Sequence, residues 1–174
     1  GDHRDLHLSI RRQRQMCIRD RVRLHLFCVA RRPPAWAEAA GAEYLKRFGK
    51  DVDLRPRDFA PKAAGSADQQ RERETDMLLR AVPAGAKLVA LDERGEAWST
   101  AELASRLSRW RDDANDVVLA IGGAEGHGPA LRAAASAVWS LSRLTLPHAL
   151  ARVIVIEQIY RAWSLLNNHP YHRA

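Results

Sequence analysis

A chain of 174 residues is about the size of one ordinary domain, and a hydrophobic share of 46% is enough to build a core, which excludes a long disordered or fibrous protein. Two Cys, ten Gly and eight Pro exclude a disulfide-stapled scaffold, collagen and a low-complexity chain, so a reducing, cytoplasmic setting is expected. No run approaches the roughly 20 apolar residues of a bilayer helix. Val153 to Ile156 is bounded by Arg152, Glu157 and Arg161, and a soluble protein without a membrane partner is expected. The formal charge is +7, and all 28 basic residues except Lys46, Lys50, Lys62 and Lys87 are arginine. Guanidinium forks suit phosphate, which favours a nucleic-acid partner; a compositional bias towards Arg and Ala is the alternative source.

Gly1 to Arg21 carries six Arg against three Asp and has neither a sustained apolar period nor a signal-peptide core. It is read as a leader, non-native or disordered, with an RNA-binding arm as the other reading; residues 22–174 are read as a single domain. From Val22 short apolar runs alternate with helical periods, the signature of βα units and a mostly parallel sheet. In chain order the pattern predicts a strand over Val22 to Ala30 and a helix over Ala35 to Phe48, entered through Pro33 and Pro34. A strand over Asp51 to Phe59 and a turn-rich loop from Ala60 to Ala67 follow. A helix over Arg71 to Val82 comes next, with Asp68 or Ser66 as cap. The remaining strands are Lys87 to Leu91, Val117 to Ile121 and Trp139 to Leu144. Between and after them lie helices over Ser99 to Asp112, with Ser99 and Glu102 as a capping box, over Pro129 to Val138, and over His148 to Asn167. Parallel strands need crossovers covering both sheet faces, so a three-layer α/β sandwich is expected.

Four residue groups could carry chemistry. Leu91-Asp92-Glu93-Arg94-Gly95 follows a strand, where open parallel sheets bind ligands, although an ordinary turn reads the same way. Ile121-Gly122-Gly123-Ala124-Glu125-Gly126-His127-Gly128 holds four glycines in seven positions. Such a loop lets backbone approach a ligand closely, but its spacing matches neither the dinucleotide fingerprint nor a phosphate loop. A loop holding a mostly uncharged ligand through backbone groups is favoured over a purely structural turn. Ser140-Leu141-Ser142-Arg143-Leu144-Thr145-Leu146-Pro147-His148 mixes hydroxyls with apolar residues ahead of the last helix. The run Asn167 to Ala174 places Tyr171 between two His and beside Arg173: the ring could stack on a base, His172 could move a proton, and Arg173 could meet a phosphate. His169 and His172 lack further clustered ligands, so no metal is expected, and Cys28 is read as an inert strand residue. The last helix is apolar over more than one stripe, compatible with core or with a subunit interface.

Taken in order, Leu91-Asp92-x-x-Gly95, Ile121-Gly122-Gly123-x-Glu125-Gly126, Ser140-Leu141-Ser142-x-Leu144-Thr145-Leu146-Pro147-His148, Glu157-Gln158-x-Tyr160-Arg161-Ala162 and His169-Pro170-Tyr171-His172-Arg173 closely resemble the ribosomal RNA large subunit methyltransferase H family. These are pseudouridine N3 methyltransferases of the SPOUT class, and the resemblance runs from Val22 to Arg173. It implies a SPOUT fold with a C-terminal trefoil knot and S-adenosylmethionine as cofactor. It also implies a homodimer whose sites are completed by the partner subunit, and a pseudouridine of large-subunit (23S) rRNA, met on the assembled ribosome, as substrate. Carried over by motif, Leu91, Gly122, Gly123, Ser142, Arg143, Leu144, Thr145, Leu146 and Pro147 would bind the cofactor. Tyr171, His172 and Arg173 would be catalytic residues at the target nucleotide. Two other readings remain: a non-enzymatic ribosome-associated factor that keeps the fold, and a SPOUT methyltransferase acting on another RNA.

Overall fold

The computed structural model describes residues 21–60, 62 and 65–173; the segment read as a leader, apart from Arg21, lies outside the described residues. Five strands alternate with helices: β1 (Val22–Val29), α1 (Ala35–Leu45), β2 (Val52–Phe59), α2 (Ala67–Ala81), β3 (Lys87–Ala97), α3 (Thr100–Asp112), β4 (Val117–Ile121), α4 (Pro129–Ala134), β5 (Ala137–Ser140) and α5 (His148–Leu166), followed by a single 3-10 turn at Pro170–Arg173. They form one sheet of order β2-β1-β4-β3-β5 in which every pairing is parallel.

The alternation of side chains along a strand sorts the central residues into two cores. Leu24, Leu26 and Cys28 of β1, with Val117, Leu119 and Ile121 of β4, face Leu103, Leu107 and Trp110 of α3 and Val155, Ile156 and Ile159 of α5. Phe27, Val29, Val118 and Ala120 face Leu78 of α2 and Leu131, which α4 supplies. Helices therefore cover both faces, as the expected three-layer sandwich requires. All five residues of β4 are buried, which explains why that strand reads as a continuous apolar run rather than an alternating one.

Capping chemistry sets two helix starts. Ser66 accepts from the Gln69 amide and Gln69 reaches back to the Ser66 amide, so α2 begins at Ala67 rather than at the predicted Arg71. Ser99 and Glu102 make the expected reciprocal pair at α3. Other boundaries move for identifiable reasons. The predicted helix from Pro129 to Val138 stops at Ala134, because both the amide and the hydroxyl of Ser136 donate to the Leu88 carbonyl and draw the chain into the sheet. Strand β5 consequently starts at Ala137 and ends at Ser140, ahead of the predicted Trp139 to Leu144. Helix α1 ends at Leu45 instead of Phe48.

The largest departure is in β3. The segment Leu91 to Gly95, read as a turn, lies within a strand that runs on to Ala97. Leu91 and Glu96 both stand opposite Trp139, so the residues between them bulge out of the ladder. Re-entry is possible because residue 95 is glycine: a Cβ there would lie 2.6 Å from the Val138 carbonyl oxygen and 2.9 Å from the Ser140 nitrogen. Gly95→Ala is therefore expected to lower stability by about 1–3 kcal/mol, the usual cost of forcing a methyl into packed structure, measurable as a shifted denaturant midpoint.

Candidate active site

Because all strands run in one direction, the chain leaves β3, β4 and β5 at one rim of the sheet, where open α/β sheets hold ligands. A cavity of about 420 Å3 lies there. Its walls come from the β3 bulge (Leu91 to Arg94), the glycine loop after β4 (Ile121 to His127) and the segment after β5 (Leu141, Ser142, Leu144 to Leu146), with His148 and Ala151 of α5 below. Thr145 donates to Glu93 at 3.0 Å, tying the post-β5 segment to the bulge, and Arg132 of α4 meets Asp92 at 3.3 Å. Ser142 shapes its own segment, its hydroxyl accepting from the Leu144 amide at 2.9 Å.

The glycine loop is held from below. Nε2 of buried His127 stands 3.0 Å from the Ala120 carbonyl. Gly128 donates its amide to Thr75 of α2 at 2.9 Å. A Cβ on Gly123 would lie 2.2 Å from Oε2 of Glu74, also on α2. A side chain on Gly123 would have to displace this buried carboxylate. Gly126, at φ +70°, supplies the left-handed turn.

Of the residues expected to bind a cofactor, Leu91, Gly122, Gly123, Ser142, Leu144, Thr145 and Leu146 line the cavity together. Arg143 and Pro147 are exposed and stand outside the lining, Pro147 serving as the cap of α5. Four lining residues were not anticipated: Arg71, Arg132, Trp139 and Ala151. Trp139 is buried, stacks on Trp98 with centroids 5.1 Å apart, and keeps an indole N–H without a partner; Nε of Arg71 is likewise buried and unpartnered. Two orphaned donors around a cavity of this size are what a polar small-molecule ligand would satisfy.

The tail sits elsewhere. Tyr171 packs edge-on against Tyr160 at 4.8 Å, the Arg161 guanidinium lies 4.8 Å from its ring centroid, and its hydroxyl is 3.0 Å from both the Tyr44 hydroxyl and Oε1 of Glu157. Burial and these acceptors push the Tyr171 phenol well above its ordinary range, so it remains protonated and can donate to Glu157. Its anchors on α5 begin at Glu157, whereas the cavity touches α5 at His148 and Ala151. From Ala151 to Tyr160 is about 13 Å along a helix axis. Within one chain the tail and the cavity thus occupy different parts of α5, and no tail residue lines the cavity. Among the described residues no group of three or more His, Cys, Asp or Glu could hold a metal, and no helix is long and apolar enough to cross a membrane. Burial pushes the Cys28 thiol up to about 12, so it stays protonated at neutral pH.

Residues 22–172 match the family described as "Predicted SPOUT methyltransferase". The ribosomal RNA large subunit methyltransferase H of Thioalkalivibrio sulfidiphilus is 49% identical over 155 residues, covering 87% of this chain and 99% of the relative. That of Nitrosococcus oceani is 46% identical over 156 residues, covering 88% and 99%. This chain belongs to the ribosomal RNA large subunit methyltransferase H family. Among solved structures, the SpoU methyltransferase AviRb from Streptomyces viridochromogenes, in complex with AdoMet, aligns with a TM-score of 0.42 at 15% identity, over 82% of this chain and 58% of that protein.

Burial lowers the His127 pKa below its ordinary 6.5, which predicts a pH dependence for the SPOUT loop it holds. The unfolded chain takes up the proton at the ordinary value while the folded chain resists it. The stabilisation is therefore complete above about pH 6.5 and is lost as pH falls, by up to about 1.4 kcal/mol per pH unit. Thermal melts between pH 7.5 and 5.5 should show a shallower loss in His127→Gln than in the unaltered chain.

Proposed function

We propose that this chain transfers a methyl group from S-adenosylmethionine to N3 of a pseudouridine in large-subunit rRNA, acting as a homodimer on the assembled ribosome in the cytoplasm. The observation that carries the reading is the convergence of three family motif segments, one in the β3 bulge and one each after β4 and β5, on one cavity of about 420 Å3. Family membership supports rRNA as the substrate class, and the charge of +7 is consistent with it. The trefoil threading of the segment that includes β4, β5 and α5 belongs to the same proposal, as does residues 22–174 forming one domain.

The residues present fit the cofactor. Small residues of the glycine loop leave room for backbone contact, Leu91, Leu144 and Leu146 supply apolar walls for an adenosine, and the unpartnered Trp139 and Arg71 donors await acceptors. S-adenosylmethionine supplies an activated methyl group on a sulfonium. What remains for the protein is alignment of the acceptor nitrogen, exclusion of water and removal of the proton on that nitrogen.

The tail is suited to these tasks. Tyr171, fixed by Tyr44, Glu157 and Tyr160, anchors the 3-10 turn and so positions the residues after it. His172 holds or moves the ring proton, and Arg173 stabilises charge developing on the carbonyl oxygens or binds a phosphate. Since the tail stands away from the cavity of its own chain, the proposal brings it to the cavity of a second copy. Leu150, Leu165 and Leu166 of α5, each more than a third exposed, and Leu144, 74% exposed, support such an interface.

The test is methyl transfer from labelled S-adenosylmethionine to ribosomes lacking the modification, with free rRNA and transfer RNA in parallel, followed by mass mapping. Label on one large-subunit pseudouridine, with ribosomes alone, is expected. Label on transfer RNA, or cofactor binding without transfer to any RNA, would contradict the proposal. His172→Ala should lower turnover by about 10²–10⁴-fold while leaving cofactor affinity unchanged.

A further inference from the structure

A second cavity, of about 370 Å3, lies beside the first and shares Gly123, Ala124 and His148 with it. Its remaining walls are Val29 and Ala30 at the end of β1, Arg31, and Gln70 and Glu74 of α2. Glu74 is 6% exposed, and only one of its carboxylate oxygens is satisfied: Oε1 accepts from Gln70 at 2.7 Å, while Oε2 is buried without a partner. The side-chain direction of Gly123 and Oε2 converge on the same point of the shared wall, 2.2 Å apart for a constructed Cβ. A half-satisfied buried carboxylate costs free energy unless a donor completes it, so a donor belongs at this wall.

We propose that this second cavity is the subsite for the target base, and that Glu74 reads the ring N–H of pseudouridine that is not methylated. The inference rests on the function proposed above. Three features select the ligand class. Val29, Ala30 and Ala124 offer small apolar surfaces suited to the faces of a flat ring. Glu74 is an acceptor, so the ring edge it meets must carry a donor. Arg31, exposed at the mouth, suits the phosphate that follows a base. Pseudouridine carries N–H groups at both N1 and N3, whereas uridine presents C5–H where pseudouridine has N1–H. With N3 turned towards the shared wall and the cofactor cavity, N1–H remains as the donor for Glu74, and uridine would leave Oε2 unpaired. Discrimination by a missing hydrogen bond to a buried acceptor exceeds what shape alone achieves between near-isosteres.

Two readouts test this together. The first is transfer to ribosomes carrying either pseudouridine or uridine at the target position; the second is titration of the chain, loaded with S-adenosylhomocysteine, with pseudouridine 5′-monophosphate and with UMP, followed by NMR at the amides of Gly123 and Ala124. In the unaltered chain pseudouridine should be preferred in both. Glu74→Gln should reduce that preference by about tenfold or more in kcat/KM, with cofactor affinity within about twofold, which also certifies the fold. Arg31→Ala, at an exposed position, should raise KM for ribosomes and leave the preference intact. An undiminished preference in Glu74→Gln would overturn the proposal. So would a loss of cofactor affinity matching the loss of activity, since the carboxylate would then serve the cofactor. Absence of transfer with a Glu74-dependent preference in the titration would refute the proposed reaction and leave the subsite standing; absence of both would refute the subsite.

Discussion

The close approach of β5 to the outer stretch of β3 is the contact on which the rest of the site depends. Trp139 stands opposite both Leu91 and Glu96, and the ladder can close on either side of Asp92 to Gly95 only because Gly95 has no side chain to strike the Val138 carbonyl. The extruded residues become a cavity wall, Thr145 ties the next segment to Glu93, and the same pairing buries the Trp139 indole beside the space it helps to enclose. A local irregularity in one strand pair thus turns an ordinary parallel rim into a shaped pocket.

Helix α2 gives the glycine loop its second constraint. Thr75 receives the Gly128 amide and Glu74 fills the side-chain direction of Gly123, so the loop is fixed against a helix as well as offered to a ligand. The four glycines do not share one purpose. Gly126 supplies a left-handed turn, and Gly123 and Gly128 make room for α2. That division bears on substitutions, because a side chain at Gly123 strikes a carboxylate before it meets anything in the cavity.

Much of the fold was legible from periodicity and capping. The limits of β4 and the start of α3 agree with the pattern, because a wholly buried strand and a capping box are local signals. The course of β3 past Leu91, the early start of β5 and the early end of α4 were not legible. Each is decided by a partner distant in sequence: Trp139 for the bulge and Leu88 for Ser136. The site divides in the same way. The motif segments were readable as a set, and seven of the nine residues expected to bind a cofactor meet at one cavity. Arg71 and Glu74 carried no local signal, since only tertiary packing brings α2 under a loop some fifty residues later. The tail residues were readable as a chemical group, while the anchoring of Tyr171 by Tyr44 and Glu157 became visible only in three dimensions.

The central claim is that the cavity of one chain works with the tail of another. Mixing two inactive variants tests it directly: one altered in the tail, His172→Ala, and one altered in the cavity, Gly122→Trp, where even a Cβ lies 3.0 Å from the Gly126 backbone. If each site draws on two chains, a heterodimer holds one intact site of two, and an equal mixture that exchanges freely should recover about a quarter of the unaltered activity. No recovery from variants shown to exchange subunits would place cavity and tail in the same chain and contradict the account.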